Sequence, residues 1–192
     1  MGIKAVIFDL DGTIVQNSYD WSTIRKELGT EDTSLLGYLN SLKEPDRTRK
    51  WEILERHEFE QTAGSLLRQG VNELLAFLKA EGVKSALVTN NSRANTDYLI
   101  AKFRLSFDLV LTREAGLWKP SGVPFRKVMQ AFDVSAEDCC VVGDTRFDIL
   151  AAMDAGITSI FLLSADPEAF AADPVEVFDS VESLQDRLAD LI

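Results

Sequence analysis

Histidine is nearly missing from these 192 residues: His57 is the only one. Cysteine is almost as scarce, and Cys139 and Cys140 are neighbours. Adjacent cysteines cannot close a loop by a disulfide. With no Cys/His partners at ligand spacing, they do not make a metal site either. They sit in an apolar, strand-like run, which reads as two buried thiols of a reducing compartment, the cytoplasm. No apolar run approaches ~18 residues, so no membrane span is expected. No basic segment followed by a long apolar stretch opens the chain, so no signal peptide is expected. Positive charge is short as well: 20 Lys and Arg face 31 Asp and Glu, a net charge of −11. Phosphate backbones and anionic membranes reward a basic face, so nucleic acid and membrane are excluded as general partners. Linkers, low-complexity tracts and internal repeats are absent too. What is present is ordinary for a globular chain, 46% apolar and 27% charged, so a packed core is expected.

The chain turns on Ile3 to Thr13. Ala5, Val6, Ile7 and Phe8 form an unbroken apolar run, as in a central strand buried on both faces. The run stops at Asp9 and Asp11. Residues two apart on an extended chain point the same way, so both carboxylates are expected to project from the strand's carboxyl end. Gly12 permits a sharp turn there. Two like charges held close are costly unless a cation or shared proton relieves them. A plain Asp-Gly surface turn is the competing reading for the pair alone.

After Thr13 the chain leaves the sheet. Residues 15–63 are polar, with Trp21, Ile24 and Leu28, then Leu35, Leu36 and Leu39, at helical spacing, a break at Pro45, and another stretch around Trp51 and Leu54. This predicts a small bundle of three or four short helices, placed where it can act as a lid. His57 reads as a packed or solvated helix residue. Arg47, Arg49 and Lys50 read as a solvated face, with the alternative that one reaches a substrate anion. Downstream, a helix is expected over about 65–80. Strands follow at 83–88, 107–111, 139–142 and 157–163, with helices at 93–103 and 124–132 and a short helix ending at Met153. An edge strand at 175–178 and a closing helix over 180–191 end the chain. Strands alternating with helices imply a Rossmann-like α/β fold. Its parallel sheet is covered by helices on both faces, with a small helical cap inserted after the first strand. The core is 1–14 and 64–192, the cap 15–63.

In such a sheet the loops after the strands meet at one edge. The first carries Asp9 and Asp11, the second Thr89 and Asn90, the third Lys119, and the fourth Asp144 and Asp148. Three carboxylates around a point suit a hard divalent cation such as Mg2+, whose shell a substrate phosphate can complete. Thr89, Asn90 and Lys119 are the expected phosphate binders. Asp9 suits a carboxylate nucleophile, and Asp11 a general acid and then base. No Gly-x-Gly-x-x-Gly follows the first strand, which argues against a dinucleotide-dependent dehydrogenase.

Asp9-Leu10-Asp11-Gly12-Thr13, Thr89, Lys119-Pro120 and Gly143-Asp144-Thr145-Arg146-Phe147-Asp148 resemble, in order, the four motifs of the haloacid dehalogenase-like hydrolase superfamily. The resemblance spans nearly the whole chain and points to the small helical cap branch, the phosphoglycolate phosphatase-like proteins. It implies that Asp9 is the nucleophile and Asp11 the acid/base. It implies that Asp9, the Asp11 main-chain carbonyl and Asp144 hold magnesium, with Asp148 supporting the metal shell or Lys119. The expected activity is a cytoplasmic, magnesium-dependent phosphatase acting on a small phosphorylated metabolite. The alternatives are a sugar phosphomutase, which uses the same nucleophile, and an idle protein that binds phosphate or a partner. Dehalogenases of the superfamily lack an acid at the position of Asp11. A phosphonatase needs a cap lysine, and no motif marks Lys26, Lys43 or Lys50. Substrate choice would rest with cap residues such as Trp21, Arg25, Arg47 and Arg49.

Overall fold

β1 (Ala5–Phe8) pairs in parallel with two strands at once, in a computed structural model that describes residues 2–17, 19–31 and 34–192. Two short strands, β2 (Val15–Gln16) and β3 (Leu66–Leu67), form a separate two-stranded sheet. The partners of β1 are β4 (Lys84–Val88) and β6 (Cys139–Gly143). β5 (Leu109–Leu111), β7 (Ser159–Leu163) and β8 (Glu176–Phe178) complete a six-stranded sheet of order β5-β4-β1-β6-β7-β8, parallel at every pairing. The winding runs outward from β1 in one direction through β4 and β5, and in the other through β6, β7 and β8. The loops after β1, β4 and β6 therefore adjoin at the switch point, where ligands of open α/β sheets gather.

Both faces of β1 are sealed, which is why its apolar run does not alternate. Val6 and Phe8 enter one core with Leu74, Leu78, Leu99, Leu184 and Leu188. Ala5 and Ile7 enter the other with Phe125, Val128, Ile149 and Ala152. Cys139 and Cys140 divide in the same way, one into each core. Consecutive strand side chains point to opposite faces, so the two thiols lie on opposite sides of the sheet.

The chain divides into two compact units, 1–16 with 67–192, and 17–66. The smaller unit holds α1 (Trp21–Leu28), α2 (Leu35–Ser41) and α3 (Asp46–Gly64). Ile24, Leu28, Leu35, Leu36, Leu39 and Leu54 are its buried apolar residues among those described. Asp20 caps α1 by accepting from the Thr23 N–H at 3.0 Å, and Gly29, at φ +64°, ends it. Lys50 donates to the Tyr38 hydroxyl at 2.6 Å and to the Leu28 carbonyl, and so links the three helices. His57 is 3.3 Å from Glu27, which also pairs with Arg56 at 2.6 Å. The expectation of short helices fails at α3, whose 19 residues run unbroken from Asp46. Pro45 stands just before its first residue, where a missing N–H costs nothing.

The larger unit carries α4 (Val71–Ala80), α5 (Arg93–Phe103), α6 (Val123–Phe132), α7 (Arg146–Ala155) and α8 (Val181–Ala189). The helix expected from residue 65 begins only at Val71, after β3. Gly70, at φ +86°, turns the chain in a left-handed conformation that no helix interior contains. Leu66, which spacing places on an apolar helix face, is 66% exposed.

Candidate active site

Four loops at the carboxyl edge of the sheet build one cluster. The β1 ladder runs one residue beyond the strand, because the Asp9 N–H donates to the Val142 carbonyl at 2.9 Å. Asp9 is thus fixed as if it were sheet, while its carboxylate stands at the edge. Gly12 then reverses the chain at φ +82°, and its N–H donates to the Val15 carbonyl at 2.8 Å. This turn runs against the β6 loop. A Cβ on Gly12 would lie 1.9 Å from Asp144 Oδ2, so only glycine fits. Thr13 Oγ1 donates to Asp144 Oδ1 at 3.4 Å.

Lys119 is the centre of charge. Its Nζ is 2.6 Å from Asp9 Oδ1 and 2.6 Å from Asp148 Oδ1, and its side chain is 3% exposed. Burial disfavours the ammonium, but Asp148 and Asp9 outweigh it and hold the Lys119 pKa above its ordinary value. Asp148 reaches this spot because it also caps α7. Its Oδ2 accepts from the Thr145 N–H at 3.1 Å and Thr145 Oγ1 at 2.8 Å, the reciprocal box of Thr145 and Asp148. Asn90 secures Lys119 from behind. Its amide accepts from the Lys119 N–H at 2.9 Å and donates to the Lys119 carbonyl at 3.0 Å.

Asp9, Asp144 and Asp148 offer oxygens within 4.8 Å of one another. This is an acid cluster short of positive charge. Burial, then Asp148, pushes Asp144 up to about 7. Burial also pushes Asp9 well above the carboxylate range; Lys119 opposes it, while Asp148 and Asp144 add to the rise. A divalent cation would remove the conflict, and hard carboxylate oxygens are the donors Mg2+ takes. Within the trio, Asp148 has both oxygens engaged by Lys119, Thr145 and the Asp144 N–H. Asp9 and Asp144 could therefore hold a cation while Asp148 holds the lysine.

The sequence singles out Asp9, Asp11, Thr89, Asn90, Lys119, Asp144 and Asp148, and the fold brings their loops together. The Asp11 carboxylate, however, stands outside the three-carboxylate cluster and accepts from Asn91 Nδ2 at 2.9 Å. Thr89 is buried at the end of β4, and its hydroxyl oxygen accepts the Asn91 N–H at 3.0 Å. Two residues escape a reading of the sequence. Asn91 lies two residues after Thr89 in the same loop, and that i+2 polar position is the available signal. Arg68 gives none, since it falls inside an expected helix. Its Nε donates to the Thr13 carbonyl at 2.9 Å, its Nη2 to the Gly12 carbonyl, and its main-chain N–H to the Ile14 carbonyl at 3.0 Å. Burial lowers the Arg68 pKa and Asp144 partly restores it, so this guanidinium offsets charge in the cluster as well.

The chain is also similar to known proteins. The family described as haloacid dehalogenase-like hydrolase matches residues 15–162. A protein of Caldanaerobacter subterraneus subsp. tengcongensis, provisionally named pyrophosphatase PpaX, is 32% identical over 180 residues, covering 83% of this chain and 81% of the relative. A phosphoglycolate phosphatase of Nitrosospira multiformis is 30% identical over 182 residues, covering 80% of each. A solved structure from Thermotoga maritima, provisionally named β-phosphoglucomutase, shares the fold at a TM-score of 0.73 and 20% identity, over 99% of this chain and 100% of that one.

Proposed function

The chain belongs to the haloacid dehalogenase-like hydrolase family and is a phosphoric monoester hydrolase; we propose that it is magnesium-dependent and releases phosphate from a small phosphorylated metabolite by way of a phosphoryl group carried on Asp9. The observation that carries this reading is the buried Asp9, fixed at the end of the central strand with Lys119 Nζ 2.6 Å from Oδ1. A carboxylate so held is pre-aligned as a nucleophile, and the lysine offsets the charge that an incoming phosphate dianion adds.

Asp9 attacks phosphorus, the ester P–O bond breaks, and Asp11 gives its proton to the departing alkoxide. Asp11 then takes a proton from water, the water oxygen attacks phosphorus, and the bond to Asp9 breaks to release phosphate. The Thr89 oxygen accepts the Asn91 N–H, and its hydroxyl proton can be donated to a phosphate oxygen. Asn90 contributes through its main chain, because its side-chain amide is spent on Lys119. Asp9, Asp144 and the Asp11 carbonyl would hold magnesium, which when bound supplies electrostatic stabilisation of the transferring phosphoryl group. Substrate choice is assigned to the 17–66 unit.

The test is phosphate release from a panel of small phosphate esters, with magnesium and with chelator. Magnesium-dependent release from at least one ester is expected, and Asp9→Asn should keep the fold and lose turnover by at least about 1000-fold. Near-normal turnover of Asp9→Asn would remove the covalent route. Silence of the wild type on every ester would move the reading to an idle phosphate binder.

A further inference from the structure

We propose that Asn91 is a positioning residue for the proton transfers of Asp11. The proposal rests on the acid/base reading of Asp11 given above, and adds the residue that aims it.

Asp11 occupies the turn just past the last ladder bond of β1, on a segment whose sharp reversal is set by Gly12. A carboxylate on such a turn has two rotatable bonds, and proton transfer needs it held in one orientation. A contact across the site supplies that orientation: Asn91 Nδ2 is 2.9 Å from Asp11 Oδ2. Asn91 comes from the loop after β4, 80 residues away in sequence.

Asn91 is itself fixed on every side. Its Oδ1 accepts from the Ser92 N–H at 2.7 Å and from Asn95 Nδ2 at 3.1 Å. Two donors on one end of the amide decide its orientation: oxygen faces Ser92 and Asn95, so the NH2 group must face Asp11. The Asn91 N–H is held by Thr89 Oγ1 at 3.0 Å, and its carbonyl accepts the Arg113 N–H at 3.3 Å. Asn91 is 4% exposed and Asn95 9% exposed, so little water competes for these bonds. Hydrogen-bonded chains of polar side chains rigidify what they end on. Here the chain Asn95–Asn91–Asp11 ends on the proton-transfer group, and the same main chain holds Thr89. The loop after β4 therefore sets the angle between the phosphate position and the proton donor.

The role has a signature that a structural role lacks. Departure of an alkoxide needs a proton from Asp11, whereas p-nitrophenolate leaves as a stable anion. kcat/KM reports the first phosphoryl transfer, in which that difference is felt. Asn91→Ala keeps the main-chain bonds to Thr89 and Arg113. It should lower kcat/KM on an alkyl ester such as glycerol phosphate by at least about 30-fold, and on p-nitrophenyl phosphate by less than about threefold. Asn91→Asp keeps the shape and both acceptor contacts of Oδ1 but presents an acceptor to Asp11. It should show the same selective loss. Asp11→Asn, run beside them, should show the pattern at larger amplitude. Equal losses on the two esters, or none, in both Asn91 variants would overturn the proposal while Asp11→Asn keeps its pattern. Loss of the pattern in Asp11→Asn itself would overturn the acid/base reading and this proposal together, and the two failures are told apart by that control.

Discussion

Lys119 Nζ and Asp148 Oδ1 stand 2.6 Å apart, with side chains only 3% and 1% exposed. Between elements 29 residues apart they form a pair that water does not screen. Removing one partner of such a pair leaves the other charge buried and uncompensated. Lys119→Met leaves Asp9 and Asp148 in that state. It should lower stability in urea by about 3–5 kcal/mol and abolish turnover. Asp148→Asn keeps an oxygen for the Thr145 N–H and should cost clearly less. Equal costs for the two would show that the helix cap, not the ion pair, dominates.

Gly12 is set by space as well as by φ. Its missing Cβ would sit 1.9 Å from Asp144 Oδ2. Gly12→Ala must displace Asp144 or the turn that carries Asp11. Turnover should fall at least about 100-fold, while the stability measured in urea falls by no more than about 3 kcal/mol. Normal kinetics in the alanine variant would refute this account of the turn.

Magnesium should report on the carboxylates without any substrate. Burial and Asp148 hold Asp144 at about 7 in the protein without a cation. A cation that binds only the folded state raises the melting temperature by mass action. Millimolar magnesium should therefore raise the melting temperature of the wild type by about 3 °C or more, and of Asp144→Asn hardly at all. An equal shift in both proteins would place the cation elsewhere.

The thiols should be silent in the folded protein. Burial pushes Cys139 up to about 11, with Asp138 adding to the rise, and burial pushes Cys140 well above the thiol range. The thiolate is the reactive form. At pH 8 a disulfide reagent should label the native protein only as fast as it unfolds, and label both cysteines at once in guanidinium. Rapid labelling of native protein would contradict the two-sided burial of β6.

Asp108 gives a pH dependence of known sign. Burial pushes its carboxyl up, but the Ser85 N–H at 2.9 Å and Lys84 at 3.0 Å outweigh that and hold it below its ordinary 3.8. A depressed carboxyl stabilises the fold above its unfolded pKa, and that contribution disappears as pH falls through the folded value. The site is 38% exposed, so screening limits the effect to about 0.5 kcal/mol. Asp108→Asn should be less stable than the wild type at pH 7 and indistinguishable near pH 2. A gap that persists at pH 2 would assign the loss to geometry.

Much of the fold is legible because burial on two faces writes itself into composition. Ala5–Phe8 and Cys139–Val142 carry no polar residue beyond the thiols, and only a central parallel strand tolerates that. The mismatch at 65–80 has a local cause. Leu66 and Leu67 continue the apolar spacing of α4 backward, and spacing alone does not reveal that Gly70 takes a left-handed φ. The 19 residues of α3 read as shorter pieces because few of them are apolar, and only three are buried.

The sequence by itself determined which chemical groups stand at the strand ends: acids after β1 and β6, a hydroxyl after β4 and a lysine after β5. Strand periodicity and turn chemistry are local, so they can be read along the chain. Only the tertiary structure decided how those groups divide. It placed Lys119 between Asp9 and Asp148, gave the Asp11 carboxylate to Asn91 and not to the acid cluster, and brought Arg68 onto the Gly12 turn. Those pairings join residues at least 29 positions apart. They depend on strand order and on angstrom-scale distances, and neither has a local trace.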